Sequence, residues 1–400
     1  MNVIIIGNGL AGTMAAKTLR ELDSAVEIHV FAEEKYPYYP RPNLIEYLAG
    51  RLPYERIFAF SDEWHVRQKI NMHLGDPVRK ILPGSQEIEL DRGRREKYDA
   101  LLIASGSSSF IPSIKGSDQR GVFTLRTLDD ALAILEYTKS HGRVAILGGG
   151  LLGLEIARAM KSRGAEVEVL EFFDRLLPLH LDAYGATLLK DQIENLGIRV
   201  SLGAVTQEIL GQDEVRGLGL KGGAKIGADM VIIAAGVRPN LGLVREVGLA
   251  LDRGIVVDDR LQTTHSKIFA AGDVIQHQGK FYGIIPASFE QARTAAYNIL
   301  GQEKKYEGTI PSNTLKVVGL YVTSVGMTNP ESAGFKEIRK LKKEEGIYKK
   351  IVLKDGALVG AIWMGTKKGV NEITRAVASK LQVSQWVTRL LEDDFDFSVI

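Results

Sequence analysis

A glycine-rich turn between a β-branched run and a helical run, the return of that whole pattern at residue 148, and a change of texture past residue 311 together predict the fold class. The class is α/β: two Rossmann-like units followed by a C-terminal α+β domain. In the first unit Val3 to Ile6 is the strand and Gly7-Asn8-Gly9-Leu10-Ala11-Gly12 the turn. Thr13 to Leu22 has helical apolar spacing, and Val26 to Phe31 reads as a second strand, with Glu33 just beyond it. In the second unit Arg143 to Leu147 is the strand and Gly148-Gly149-Gly150-Leu151-Leu152-Gly153 the turn, with a helix to about Arg163 and a strand from Glu166 to Leu170 that ends at Glu171.

Around these units Tyr98 to Ala104, Met230 to Ala235 and Ile268 to Ala271 read as short buried strands, and Arg126 to Tyr137 as an amphipathic helix. Past Pro311, strand-like stretches at Thr314 to Val318, Tyr348 to Leu353 and Leu358 to Met364 alternate with glycine turns. A helical pattern is expected from Val370 to Leu391, before an acidic Glu392-Asp393-Asp394.

A chain of 400 residues is too long for one ordinary core. Its net charge of +2 supplies no field that would draw nucleic acid. There is no cysteine, so this chain has no disulfide, thiolate metal site or cysteine nucleophile. The seven histidines show no ligand spacing. His65 and His73 come nearest to a pair and are read as surface or satisfied residues, so no metal is expected. The opening Met1-Asn2-Val3-Ile4-Ile5-Ile6 lacks a basic leader, and no apolar run approaches the roughly 20 residues of a bilayer span. The expectation is a cytoplasmic chain.

A dinucleotide pyrophosphate needs close backbone, free N–H groups and a helix N-terminus. Gly7 allows the tight turn, Gly9 clears the phosphate side, and Gly12 lets helix and strand approach. An acid about 20 residues on takes the ribose hydroxyls, and Glu33 stands there. Gly148, Gly150, Gly153 and Glu171 repeat the set. A carboxylate at Glu171 suits NADH and repels the extra phosphate of NADPH, although Arg175 lies close enough to compete.

With Tyr98 to Gly106 after the first unit, Ala235-Gly236-Val237-Arg238-Pro239-Asn240 after the second, and Ile268-Phe269-Ala270-Ala271-Gly272-Asp273 later, the sequence resembles the two-dinucleotide flavoproteins related to glutathione reductase. The resemblance implies FAD in the first unit, NADH in the second, and an FAD domain split around the NADH domain. Its boundaries are 1–108 and 238–308 for FAD, 109–237 for NADH, and 309–400 for the C-terminal domain. The resemblance also implies that Asp273 bonds the ribityl chain, and that Ser105, Gly106, Gly236 and Gly272 are cofactor-binding turns. The helix carrying Glu290 and Gln291 is expected to aim its N-terminus at the flavin ring.

Without cysteine, disulfide reduction through a protein thiol and sulfenate chemistry are excluded, so electrons leave from the flavin itself. Pro37-Tyr38-Tyr39 with Arg41-Pro42, then Tyr47-Leu48-Ala49-Gly50, resembles NADH:rubredoxin oxidoreductases and the flavin portion of nitrite reductases. The related oxygenase-coupled reductases carry a lysine where Glu46 stands here. Arg41 and Pro42 are therefore cofactor-site candidates, and Glu155 and Lys316 are catalytic candidates beside the flavin. The bland readings are a surface turn, a packing residue at a domain seam and an exposed strand lysine.

The implied activity is transfer of electrons from NADH through FAD to a one-electron carrier such as rubredoxin. A peroxide-forming NADH oxidase, a flavoprotein subunit of a larger complex and a redox-sensing binding module stay open. The basic run Lys336, Arg339, Lys340, Lys342, Lys343, Lys349 and Lys350 is either a docking face for an acidic carrier or a solvated hairpin edge.

Overall fold

The computed structural model describes the chain apart from Pro311, Val318, Glu331, Thr388 and Ile400, and apart from the side chains of Asp62, residues 312–317 and Ser398. It divides into two compact units. The first comprises Met1–Tyr47, Leu52–Ser108 and Val237–Thr309; the second comprises Leu48–Arg51, Ser109–Gly236 and Ile310–Ile400.

The first unit is built on a parallel sheet in the order Ile268–Ala270, Ala100–Ile103, Asn2–Ile6, Glu27–Ala32, Ile70–Leu74. Its central strands are apolar on both faces because helices cover the sheet, and Val3, Ile4, Ile5 and Leu101 to Ile103 are almost fully buried. Helices Leu10–Leu22 and Ile285–Ile299 lie together. Ala11, Ala15 and Ala16 on one, and Ala292, Ala295 and Ala296 on the other, are buried and short enough for close approach. The outer strand Ile268–Ala270 arrives only after the long excursion through residues 109–236.

The second unit repeats the device with strands Arg199–Leu202, Glu166–Glu171, Arg143–Leu147, Met230–Ile233 and Val122–Phe123 in one parallel sheet. The helix expected from Arg126 starts at Leu128, because Thr127 caps it. The Thr127 hydroxyl accepts from the Asp130 amide while the Asp130 carboxylate accepts from Thr127, a reciprocal cap that fixes the first turn. Helix Ala183–Asn195 and the antiparallel sheet Thr206–Gly211/Val215–Leu220/Lys225–Gly227 here, and the antiparallel sheet Lys80–Leu82/Glu87–Glu89/Arg95–Lys97 in the first unit, are elements the sequence reading did not anticipate.

The C-terminal region is an antiparallel sheet in the order Ser312–Val317, Leu320–Gly326, Ala357–Met364, Ile347–Lys354, Phe335–Lys342. Helix Val370–Ala378 packs its Ile373 and Val377 against Val325, Leu358 and Trp363. The long helix expected as far as Leu391 does not form. Lys380 adopts the left-handed conformation at φ 50°, the Leu381 amide turns back to the Ala376 carbonyl, and Gln382 bridges to Ala357. The chain then spends its apolar residues Val383, Leu390 and Phe395 on the sheet core instead. Among the described residues, no helix is long and apolar enough to cross a membrane.

Candidate cofactor sites

The two glycine turns are near-copies. The Gly7 amide donates to the Phe31 carbonyl and the Gly148 amide to the Leu170 carbonyl, both at 2.8 Å. Thr13 to Gly9 and Leu154 to Gly150 close the first helical turns, both at 3.0 Å. A Cβ on Gly12 would stand 1.9 Å from the Gly7 carbonyl oxygen, and one on Gly153 2.0 Å from that of Gly148. Gly7 and Gly148 hold φ of 112° and 122°, against the backbones of Ala104 and Ala234. These four glycines are fixed by the protein itself.

Gly9 and Gly150 differ. A Cβ there would meet nothing within 4 Å, and neither residue caps its helix with a side chain. Each turn therefore faces open space with helical amides not capped by that residue, the cradle that a pyrophosphate requires. Both sites fit a dinucleotide.

The acids differ in setting. Glu33 is exposed just past its strand. Glu171 is the last residue of its strand and only 5% exposed; its carboxylate accepts from the amides of Gly149 at 2.5 Å and Phe173 at 2.9 Å. It thus braces the second glycine turn. Arg175 bonds Asp174 at 2.9 Å. Glu155, past the first turn of helix Leu151–Ser162, is half-buried and pairs with Arg158 at 2.8 Å.

In the first unit the late motif closes the cradle. A Cβ on Gly272, at φ 87°, would come within 2.9 Å of the Ala11 side chain inside the first glycine turn. Asp273 accepts a hydrogen bond from the Ser107 hydroxyl at 2.9 Å. Ser105 and Asn240 are tied to each other, the Asn240 amide donating to the Ser105 carbonyl at 2.8 Å. Gly106 turns at φ 68°, and in the second unit Gly236 turns at φ 98°. Gln291 is 1% exposed; its carbonyl oxygen accepts the Gly272 amide at 2.9 Å and its nitrogen donates to the Tyr306 hydroxyl at 3.2 Å. Glu290 lies exposed on the outer side of the same helix.

Arg41 donates to both oxygens of Glu34, at 2.6 and 3.4 Å, and also to the Tyr39 hydroxyl, which in turn bonds Glu34. Pro42 opens helix Pro42–Leu48, where its missing N–H costs nothing. Burial pushes the neighbouring Tyr38 hydroxyl upward against the pull of the Arg41 charge. Lys316 lies on strand Ser312–Val317 opposite Tyr321, and its side chain is outside the described residues.

The reading of the basic run as one solvated edge needs correcting. Lys349 and Lys350 lie on an inner strand and are 2% and 1% exposed. Lys350 bonds Asp182 at 3.2 Å and Glu337 at 3.0 Å; Lys349 bonds Asp393 at 2.9 Å and stands over the Trp363 ring. On the outer strand and its turn, Lys340 pairs with Glu392, Lys342 with Asp393 and Lys343 with Asp191. Most of the charge is answered from within the second unit, Arg339 by Glu337. His65 is buried against the Ser61 carbonyl, and His73 stacks on Phe31. No group of histidine and acidic side chains among the described residues could hold a metal ion.

Sequence reasoning missed Ser107, Tyr306 and Asp182, and quoted Asn240 only as the end of the Ala235–Asn240 motif. Ser107 carried a signal, its place next to the Ser105-Gly106 turn.

Two dinucleotide cradles on parallel sheets, one completed by Gly272-Asp273, define a two-dinucleotide oxidoreductase of the flavoprotein class. The chain belongs to the pyridine nucleotide-disulphide oxidoreductase family, whose model matches residues 1–298. The rubredoxin NAD+ reductase C-terminal domain matches residues 311–381. The family's cofactors are FAD and NADH. The chain is 35% identical over 385 residues to a nitrite reductase [NAD(P)H] of Bacillus subtilis, covering 96% of this chain and 48% of that protein. It is 31% identical to the NADH-rubredoxin oxidoreductase of Clostridium acetobutylicum, over 91% of this chain and 92% of that one. The solved NADH:rubredoxin oxidoreductase from that organism superposes with a TM-score of 0.82 at 30% identity, over 94% and 95% of the two chains. The chain spans about half the length of the nitrite and nitrate reductase relatives from Bacillus subtilis.

Proposed function

We propose that this protein oxidises NADH and passes the electrons through FAD to a small one-electron carrier of the rubredoxin kind. The observation that carries the reading is the match along nearly the full length of both chains to an NADH-rubredoxin oxidoreductase, C-terminal domain included. Bound FAD would supply the chemistry, taking two electrons as a hydride from the nicotinamide and yielding them singly.

The chain's own task is to hold and orient. Gly9 and Gly150 bring backbone amides to the two pyrophosphates. Asp273, held by Ser107, is placed for the ribityl chain, and Glu171 for the adenine ribose of NADH. Glu155 is the candidate at the nicotinamide face, with Arg158 beside it restraining its carboxylate. Lys316 is the candidate for neutralising charge on the reduced ring. Arg41, tied to Glu34 and Tyr39, orders the turn that leads into Pro42. An enzyme fed by NADH works where the NADH pool is, in the cytoplasm.

A second reading has an observation of its own. The 35% identity to a protein twice as long supports a role as the flavin half of a nitrite reductase-like assembly. Steady-state oxidation of NADH with rubredoxin, oxygen and a ferric chelate as separate acceptors tests the proposal. Turnover with rubredoxin well above that with oxygen is expected. Oxygen as the best acceptor, with peroxide formed in step with NADH, would replace the carrier reading with an oxidase.

A further inference from the structure

We infer that Gln291 and Tyr306 form a positioning pair that sets how tightly, and at what potential, FAD is held, by fixing the Gly272-Asp273 turn from behind. The inference rests on FAD occupying the first glycine site and is independent of the electron acceptor.

Gly272 is a left-handed turn residue pressed against Ala11, so the late motif and the first glycine turn share one small space. Its amide is buried and donates to a side chain: the carbonyl oxygen of Gln291, 2.9 Å away. A primary amide can be held by either end, and here both ends are held. The Gln291 nitrogen donates to the Tyr306 hydroxyl at 3.2 Å, and that hydroxyl meets Thr309 at 2.7 Å. The orientation of the Gln291 carbonyl toward Gly272 is therefore fixed by Tyr306.

Tyr306 is itself anchored. It is 3% exposed, its amide donates to the Asp259 carbonyl at 2.7 Å, and its ring lies 5.0 Å from that of His277 and 5.8 Å from that of Tyr282. His277 is fully buried and bonds the Asp259 carboxylate at 2.9 Å. The Gln291 carbonyl oxygen is engaged by Gly272 and its nitrogen by Tyr306, so Gln291 acts through the turn. The turn carries Asp273, whose carboxylate is placed from the other side by Ser107. Loosening Gln291 lets Gly272 rotate, and Asp273 with it.

The pair is tested on full-length protein stripped of FAD and titrated with it. Flavin fluorescence gives the dissociation constant, and dye-coupled reduction gives the potential of the reloaded flavin. Tyr306→Phe removes one hydroxyl, keeps every ring contact, and should weaken FAD about three- to tenfold, the range of one buried hydrogen bond. Gln291→Leu, which leaves the Gly272 amide unpaired, should weaken it further. Gln291→Glu should recover much of that loss, because one carboxylate oxygen can accept from Gly272 and the other from the Tyr306 hydroxyl. A shift in potential should accompany each loss of affinity. Should Gln291→Leu fail to fold, Tyr306→Phe decides alone. Wild-type affinity and potential in Tyr306→Phe, or equal affinity in the Leu and Glu variants of Gln291, would overturn the inference. Wild-type protein that binds no FAD would instead overturn the cofactor assignment beneath it.

Discussion

At the scale of single residues, the two sites separate those the protein fixes for itself from those it offers. Glu171 does both under the proposed function: it braces Gly149 and Phe173, and its carboxylate is proposed to take the adenine ribose of NADH. A 2′-phosphate brought there meets that charge, so kcat/KM should favour NADH over NADPH by at least about tenfold, or about 1.4 kcal/mol. Equal values would assign the phosphate to Arg175. Glu155→Gln should slow flavin reduction by about tenfold in rapid mixing while FAD stays bound, as a positioning effect of one to two kcal/mol does. Reduction at the wild-type rate would return Glu155 to packing with Arg158. The close-packed glycines were legible in the sequence because close approach admits so few residue types. The bond from Ser107 to Asp273 was not, since a hydroxyl that meets its partner 166 residues away leaves no local pattern, and Tyr306 stands in no motif of the sequence.

Among the elements, the strand–turn–helix units were the clearest features. Apolar strands, glycine spacing and small helical residues all point to the same geometry there. Substituting one glycine of each kind should split their roles. Gly12→Ala puts a Cβ 1.9 Å from the Gly7 carbonyl, so helix and strand must part, and the apoprotein should melt lower by about 1–3 kcal/mol of stability. Gly9→Ala has free room in the apoprotein. It should keep the apoprotein's melting temperature and lose FAD affinity, because the methyl group occupies the approach of the phosphate. Apoprotein melting together with FAD titration separates the two variants, and a Gly9→Ala protein that binds FAD normally would place the pyrophosphate elsewhere. The segment from Val370 misled for the opposite reason. Its apolar spacing continues past Ala378, yet Lys380 breaks it and the later apolar residues serve the sheet core without a helix. Periodicity records which residues are buried, and several backbones can bury the same set.

Across the whole molecule, the sequence placed a boundary near residue 309, and the C-terminal sheet forms one compact unit with residues 109–236. Asp182 is central to that union. It caps helix Ala183–Asn195 through the Gly185 amide and receives the Tyr348 hydroxyl at 2.6 Å and Lys350 at 3.2 Å. Burial alone would raise its carboxyl, but the hydrogen bonds from Tyr348 and Gly185 and the Lys350 charge hold it below the usual carboxylate range. A depressed folded-state value makes this contribution complete above the ordinary aspartate range near pH 4, and lost as pH falls through the lower folded value. Asp182→Asn should therefore lower the melting temperature at neutral pH, by the equivalent of about 3–5 kcal/mol for a broken buried pair, and flatten the acid limb of the stability profile. A variant with the wild-type acid limb would show that other carboxylates govern it. None of this was legible beforehand, because a lysine on an inner strand reads in sequence like one on an edge.

Lys349 and Lys350 also make the second unit its own reporter. An amine sealed in a sheet and paired with a carboxylate cannot be attacked by an acylating reagent, whereas lysines such as Lys115 and Lys139 stand open at the surface. Brief labelling of the native protein, read peptide by peptide, should leave 349 and 350 unmodified until the sheet opens. Their first labelling would then time the separation of the C-terminal strands from the anchoring Asp182 and Asp393.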